Sequence, residues 1–120
     1  MLSFVTLFAV ASLFGPLPAA DVTGAWDLTM TWSGDTTSTG VCTFEQKGER
    51  LTGTCGGDDK FPISGLVTDN RVSWEFKVEQ NGNKGRMAFD GELDEAGTTI
   101  KGSCRIVGSR QGTFTLVKRR

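Results

Sequence analysis

The stretch "GAWDLTMTW", residues Gly24 to Trp32, decides the fold class. Every second residue from Trp26 to Trp32 is large and apolar, whereas the alternate residues from Ala25 to Thr31 are alanine, aspartate and threonine. A period of two is typical of a β-strand that buries one face. The stretch therefore predicts a strand over residues 24–32 whose apolar face points into a core.

The same alternation continues to the C-terminus, and no part of residues 21–120 shows a helical period. Turn residues divide it into eight predicted strands, over residues 24–32, 40–46, 50–56, 60–67, 71–79, 85–93, 98–106 and 111–118. Each strand has one apolar and one polar face, as in an antiparallel sheet around its own core. The sequence predicts an all-β fold, an eight-stranded antiparallel up-and-down barrel in which the last strand pairs with the first.

Four glycines recur two residues after an apolar residue, in "LTG", "ISG", "FDG" and "IKG". These are Gly53, Gly65, Gly91 and Gly102, and all four fall on the inward parity. Glycine inside a strand marks a sharp bend or a close approach by another group. The glycines support a closed barrel, and they either leave space for a ligand or make room for the tryptophans.

Residues 1–20 contain no charged side chain and read as a cleaved signal peptide, with small Ala19 and Ala20 before the cleavage site. Its apolar run reaches only about 20 Å as a helix, short of a bilayer core of about 30 Å. We expect a periplasmic or secreted protein, a single domain over residues 21–120, and no transmembrane segment after processing.

Composition narrows the function classes. The chain has 120 residues, a formal net charge of −1, no histidine and no tyrosine. A near-neutral balance predicts no nucleic-acid partner, and the missing histidine removes the commonest general base and metal ligand. We expect no catalytic residue, metal or cofactor, and a non-enzymatic protein.

Three cysteines form the sharpest local feature. A tight turn at residues 48–49 sets Cys42 directly opposite Cys55, within the distance that a disulfide spans. Export provides an oxidising compartment. The Cys42–Cys55 bridge is the first expectation; a Cys55–Cys104 bridge and three buried thiols are the alternatives.

The motif "GAW", with Gly24 and Trp26, is similar to the G-x-W signature of lipocalin-like barrels, the calycins. Together with "LTGT" and "GTFT", it resembles small exported bacterial β-barrel domains, and in style also avidins and bacterial metalloprotease inhibitors. The resemblance implies a barrel that binds a small ligand or a protein. Lipocalins place an arginine of the last strand over this tryptophan, whereas parity here turns Lys118 inward.

The resemblance and the aromatic interior together favour a binding module for a small hydrophobic or aromatic ligand. The alternatives are a protein-binding module, such as a protease inhibitor, and an accessory structural domain with a filled core. Longer and glycine-rich loops should collect at the barrel end opposite Trp26, where binding loops concentrate. The inward residues nearest that end are the predicted ligand-binding residues: Trp32, Phe61, Phe76, Val78, Met87, Ile106 and Phe114.

Overall fold

The computed structural model describes residues 20–33, 36–80 and 82–120. Nearly all of these residues lie in eight strands joined by short turns. The strands are β1 (Gly24–Trp32), β2 (Thr36–Lys47), β3 (Arg50–Gly56), β4 (Lys60–Thr68), β5 (Arg71–Gln80), β6 (Asn83–Leu93), β7 (Thr99–Ile106) and β8 (Arg110–Lys118). The predicted signal peptide, apart from Ala20, lies outside the described residues.

Each strand pairs antiparallel with its neighbours in sequence, and β8 pairs with β1 from Trp26↔Lys118 to Trp32↔Gly112. The predicted closed up-and-down barrel is confirmed. The register is offset around the barrel. If one starts at Gln46 in β2 and moves from each residue to its partner on the next strand, the path passes through β3 to β8 and β1. It returns to β2 at Thr36, ten residues from its start. An offset of this kind makes the strands tilt by about 35–45° and sets the barrel width.

The predicted start of β2 at residue 40 was wrong. β2 begins at Thr36, because residues 36–39 pair with the last four residues of β1, from Thr29↔Thr39 to Trp32↔Thr36. The polar composition of "TTST" is typical of a loop. These residues nevertheless form a strand, which pairs here with β1 alone, because β3 pairs with β2 only from Val41 onward. The other predicted ends differ from the structure by at most two residues.

One end of the barrel is covered by the segment before β1, and we call it the base. The Trp26 indole Nε1 donates to the Val22 carbonyl oxygen at 2.9 Å, and both side chains are fully buried. The Val22 backbone N–H donates to Gln46 Oε1 at 2.9 Å, and the Ala20 N–H donates to the Asp69 carbonyl oxygen at 3.2 Å. Residues 20–23 therefore cross the base and close it.

The inward glycines allow close approach of the next strand rather than leaving open space. A Cβ on Gly65 would lie 2.1 Å from the Ser73 carbonyl oxygen and 2.7 Å from Trp74 Cβ. A Cβ on Gly91 would lie 2.7 Å from the Lys101 carbonyl oxygen and 2.8 Å from Phe114 Cζ. Part of the room at Gly91 thus goes to the ring of Phe114, while at Gly65 it goes to the backbone and Cβ of the neighbouring strand.

The predicted disulfide is confirmed. Cys42 and Cys55 are direct partners in the β2–β3 ladder and are disulfide-bonded on the inner face, while Cys104 is free and buried. The bridge closes a loop with a sequence separation of 13 residues. A loop of this size stabilises the fold by about 3 kcal/mol in the chain-entropy account.

The turn between β6 and β7 is organised by Asp94. Its Oδ1 accepts hydrogen bonds from the backbone N–H groups of Thr98 at 2.9 Å and Thr99 at 3.2 Å. These bonds, the one from Thr98 first, lower the pKa of the Asp94 carboxyl. Because the folded-state pKa lies below the unfolded one, the turn's contribution to stability is present at neutral pH and is lost as the pH falls through the folded-state pKa.

The close approach at Gly65 predicts the effect of adding one methyl group. We expect Gly65→Ala to lower the free energy of unfolding by about 1–3 kcal/mol or more, because the new Cβ meets backbone that cannot move aside. Gly85→Ala is the matched control, since a Cβ there meets only Val78 Cγ2 at 3.4 Å. Urea unfolding of both variants measures the difference, and equal losses would contradict this account of the glycines.

The cysteine pairing predicts the number of reactive thiols. Denatured protein that has not been reduced should titrate one thiol per chain, and reduced protein should titrate three. Peptide mapping without reduction should recover Cys42 and Cys55 in one linked fragment. A linked fragment containing Cys104 would show that the register is wrong.

Candidate functional site

The end opposite the base, which we call the mouth, is where β1, β3, β5 and β7 end and the other strands begin. Four inward apolar side chains there are only half-buried: Met30, Phe61, Val78 and Ile106. At the base, the inward side chains are sealed, with Val22, Val67, Val72, Ile100 and Leu116 all fully buried. Apolar inward side chains are therefore in partial contact with solvent at the mouth, in contrast to the base.

The seven predicted ligand-binding residues all belong to one hydrophobic cluster. Three of them are the half-buried mouth residues Phe61, Val78 and Ile106, and the other four, Trp32, Phe76, Met87 and Phe114, are buried beneath or beside them. Their role in ligand binding stays a prediction. Sequence reasoning did not include Met30, although its parity places it inward; it is half-buried and lies between Ser38 of β2 and Phe114 of β8.

Six aromatic rings pack in one continuous group, which we call the aromatic stack: Phe44, Phe61, Trp74, Phe76, Phe89 and Phe114. Starting at the mouth, Phe61 stacks on Phe76 at 5.2 Å, Phe76 on Phe89 at 5.8 Å, and Phe89 on Trp74 at 4.8 Å between ring centroids. Offset stacking and edge-to-face contacts are the favourable aromatic geometries. The stack leads from solvent at the mouth to the centre of the barrel.

Trp74 lies at the inner end of this stack, and its buried indole N–H is unusual in the apolar interior. Its side chain is 2% exposed, and its indole Nε1 is the buried side-chain donor without a hydrogen-bond partner among the described residues. Leaving such a donor unsatisfied costs about 1–3 kcal/mol. Sequence alone could not show this, because it depends on which acceptors surround the nitrogen.

Two cations face tryptophans at opposite ends of the barrel. At the mouth, the Arg110 guanidinium lies over the Trp32 ring, 5.1 Å from its centroid. At the base, Lys118 Nζ lies 5.8 Å from the Trp26 centroid, so the inward parity of Lys118 does bring its ammonium to this tryptophan. Arg119 points outward instead, and its Nε donates to Asp27 Oδ1 at 2.8 Å.

Cys104 is the free thiol of the interior. It lies on β7 directly opposite Phe89 and Gly112, and burial raises its pKa. A reactive cysteine needs its thiolate form stabilised. Desolvation has the opposite effect, so this thiol is a packing group rather than a nucleophile.

The outer face of the barrel carries two open depressions. The larger, of about 570 Å³, crosses β4 to β8 and is lined by small side chains such as Ser64, Ala88 and Ser103, with Leu66 53% exposed at its margin. The smaller, of about 290 Å³, lies between Arg71 and Lys101. None of the seven predicted ligand-binding residues lines either depression.

Residues 20–33, 36–80 and 82–120 contain no group of three or more His, Cys, Asp or Glu side chains arranged to hold a metal ion. They also contain no helix that is long and apolar enough to cross a membrane. The apolar mouth remains the best-formed candidate site.

No protein-family model matches the chain, and no curated protein matches it. Solved structures do. A redesigned β-barrel is similar to it with a TM-score of 0.61 and 22% identity, over 82% of this chain and 92% of the other. At identities this low the similarity establishes the barrel fold and nothing more.

Two other similar structures hold a small molecule. The redesigned β-barrel mFAP1, bound to DFHBI, has a TM-score of 0.60 and 21% identity over 81% of this chain and 94% of that barrel. EF1p2_mFAP2b, also bound to DFHBI, has a TM-score of 0.58 and 20% identity over 82% and 94%.

Burial of Cys104 predicts slow thiol chemistry and a defined pH dependence. Iodoacetamide should alkylate the native thiol much more slowly than the thiol of unfolded protein. Because the folded-state pKa is raised, the free energy of unfolding should be unaffected by this group below the ordinary thiol pKa and should fall as the pH rises above it. A Cys104→Ala variant should lack that fall. Equal alkylation rates for native and unfolded protein would contradict the assignment.

Proposed function

We propose that this chain is a non-enzymatic, exported β-barrel that binds a small hydrophobic or aromatic molecule at its mouth. The single observation that carries the proposal is the difference between the two ends. Residues 20–23 seal the base, whereas Met30, Phe61, Val78 and Ile106 stay half-buried and point inward at the mouth. Apolar walls beneath a polar rim are typical of small-molecule sites.

The width of the barrel supports a ligand of modest size. An eight-stranded barrel is wide enough either to fill with side chains or to hold one small ligand. The aromatic stack fills the centre, which leaves the mouth layer as the binding level. The two similar barrels that are bound to DFHBI have the same fold, and a small aromatic ligand fits the aromatic lining proposed here.

Export is part of the proposal. The uncharged leader of residues 1–20 supports it. The Cys42–Cys55 disulfide supports it as well, because disulfides persist in oxidising compartments. The absence of histidine from the sequence supports a binding role rather than acid–base catalysis at neutral pH.

The proposal predicts saturable binding of indane, a small hydrocarbon with one aromatic ring, at one site per chain. Val78→Asp should weaken the binding at least 10-fold, because it places a charge in the apolar lining of the mouth. Val117→Asp is the matched control, since Val117 is 48% exposed on the outer face of β8. Isothermal titration calorimetry measures both variants.

Two outcomes would contradict the proposal. One is the absence of a saturable heat for indane, which would leave a filled-core accessory domain or a protein-binding module as the function. The other is equal weakening by Val78→Asp and Val117→Asp, which would move the site away from the mouth.

A further inference from the structure

Arg110 brings a positive charge to the inner side of the mouth. It begins β8 and shares the inward parity of buried Phe114 and Leu116, and its partner in the ladder with β7 is the half-buried mouth residue Ile106. The remaining strand residues of inward parity in the mouth half are uncharged in the part of the chain that the structure describes. Arg110 thus provides the charge of an otherwise neutral inner surface.

The Trp32 ring holds this guanidinium at the rim, with 5.1 Å between the guanidinium carbon and the ring centroid. Trp32 is buried and lies close against β8, where a Cβ on Gly112 would be 3.0 Å from its Cε3 atom. The ring face attracts the cation, and the N–H donors at the edge of the guanidinium stay available. Among the residues that the structure describes, Arg110 has no ion-pair partner and makes no side-chain hydrogen bond. Because the side chain is exposed, these donors are open to a bound molecule.

The cation at the base differs, because the chain supplies an acid beside it. Lys118 lies over Trp26 at 5.8 Å, much as the guanidinium lies over its tryptophan at the mouth. Nearby is Asp21, whose pKa is lowered first by hydrogen bonds from Thr23 and last by the Lys118 charge. The segment that closes the base therefore brings a negative charge to its own cation. At the mouth, no carboxylate of the described residues pairs with Arg110.

We infer that the ligand of the mouth is an amphiphilic organic acid whose carboxylate accepts hydrogen bonds from the Arg110 guanidinium. This inference rests on the proposed function and specifies the ligand class and its orientation. The apolar body contacts half-buried mouth residues such as Ile106, the ladder partner of Arg110. The planar fork of a guanidinium matches a carboxylate with two parallel hydrogen bonds. The carboxylate stays at the wet rim, so no charge is carried into the aromatic centre of the barrel.

Two probes of nearly the same shape test the inference. Indane-2-carboxylate is an anion at neutral pH, whereas indane-2-carboxamide is neutral. The ratio of their dissociation constants, carboxamide over carboxylate, should exceed one in the unmodified protein. It should fall by about 3- to 10-fold in Arg110→Gln, the range expected for one charge-assisted contact at a partly exposed site.

Arg105→Gln is the matched control. It removes the same charge from the same end of the barrel, but Arg105 lies on the outward parity of β7, is exposed and lines the larger outer depression. A change in the overall charge of the protein affects both variants alike. A contact between the carboxylate and Arg110 is lost only in Arg110→Gln, so Arg105→Gln should leave the ratio unchanged.

A second readout uses the unmodified protein and does not depend on the folding of a variant. The Arg110 Nε ¹H–¹⁵N signal, assigned through its contact with Trp32, should move downfield with the carboxylate and much less with the carboxamide. Added NaCl should weaken binding of the carboxylate more than that of the carboxamide, because salt screens an exposed charge pair.

The outcomes separate this inference from the proposed function. Saturable binding of both probes with a ratio that Arg110→Gln leaves unchanged, or that Arg105→Gln lowers equally, would overturn this inference alone. An Arg110 signal that responds equally to both probes would do the same. Failure of indane and of both probes to bind would overturn the proposed function together with it.

Discussion

The pairing of β8 with β1 is the constraint on which the rest of the structure depends. It removes the two edges that an open eight-stranded sheet would expose to other chains. It also fixes the ten-residue offset around the barrel, and with it the strand tilt and the interior width. Because the width is set in this way, the inward side chains must fill a defined volume. The inward glycines follow from the same constraint, since neighbouring backbones approach closely where the sheet curves.

Closure of the sheet leaves two ends, and only one of them is covered by the chain. At the base, Val22 is drawn under the barrel by hydrogen bonds to Trp26 and Gln46, and the interior becomes inaccessible. At the mouth, the short inward side chain of Ser38 and the half-buried Phe61 leave apolar surface in contact with solvent. This partly exposed apolar surface is the reason that the binding role is proposed for the mouth. The outer depressions differ in character, because charged and small polar side chains form much of their lining, beside Leu66, Trp74 and Phe89 in the larger one.

Much of this could be predicted from the sequence because β-structure has a short period. Alternation identified every strand and the inward parity, and the tight turn between β2 and β3 was enough to place Cys42 opposite Cys55. Two features escaped prediction for physical reasons. The first four residues of β2, beginning at Thr36, are polar because they lie at the rim, so their composition resembled a loop. The hydrogen-bonding state of Trp74 depends on the groups that surround it, which include rings from three other strands, and no local pattern records that arrangement.

We propose that the barrel is accessible from one end only and takes its ligand there. Intermolecular nuclear Overhauser effects between bound indane and methyl-labelled protein test this most directly. Binding at the mouth predicts effects to the methyl groups of Met30, Val78 and Ile106. It predicts none to Val67, Val72 and Ile100 at the sealed base. Effects to these base residues, or to Leu66 on the outer face, would contradict it.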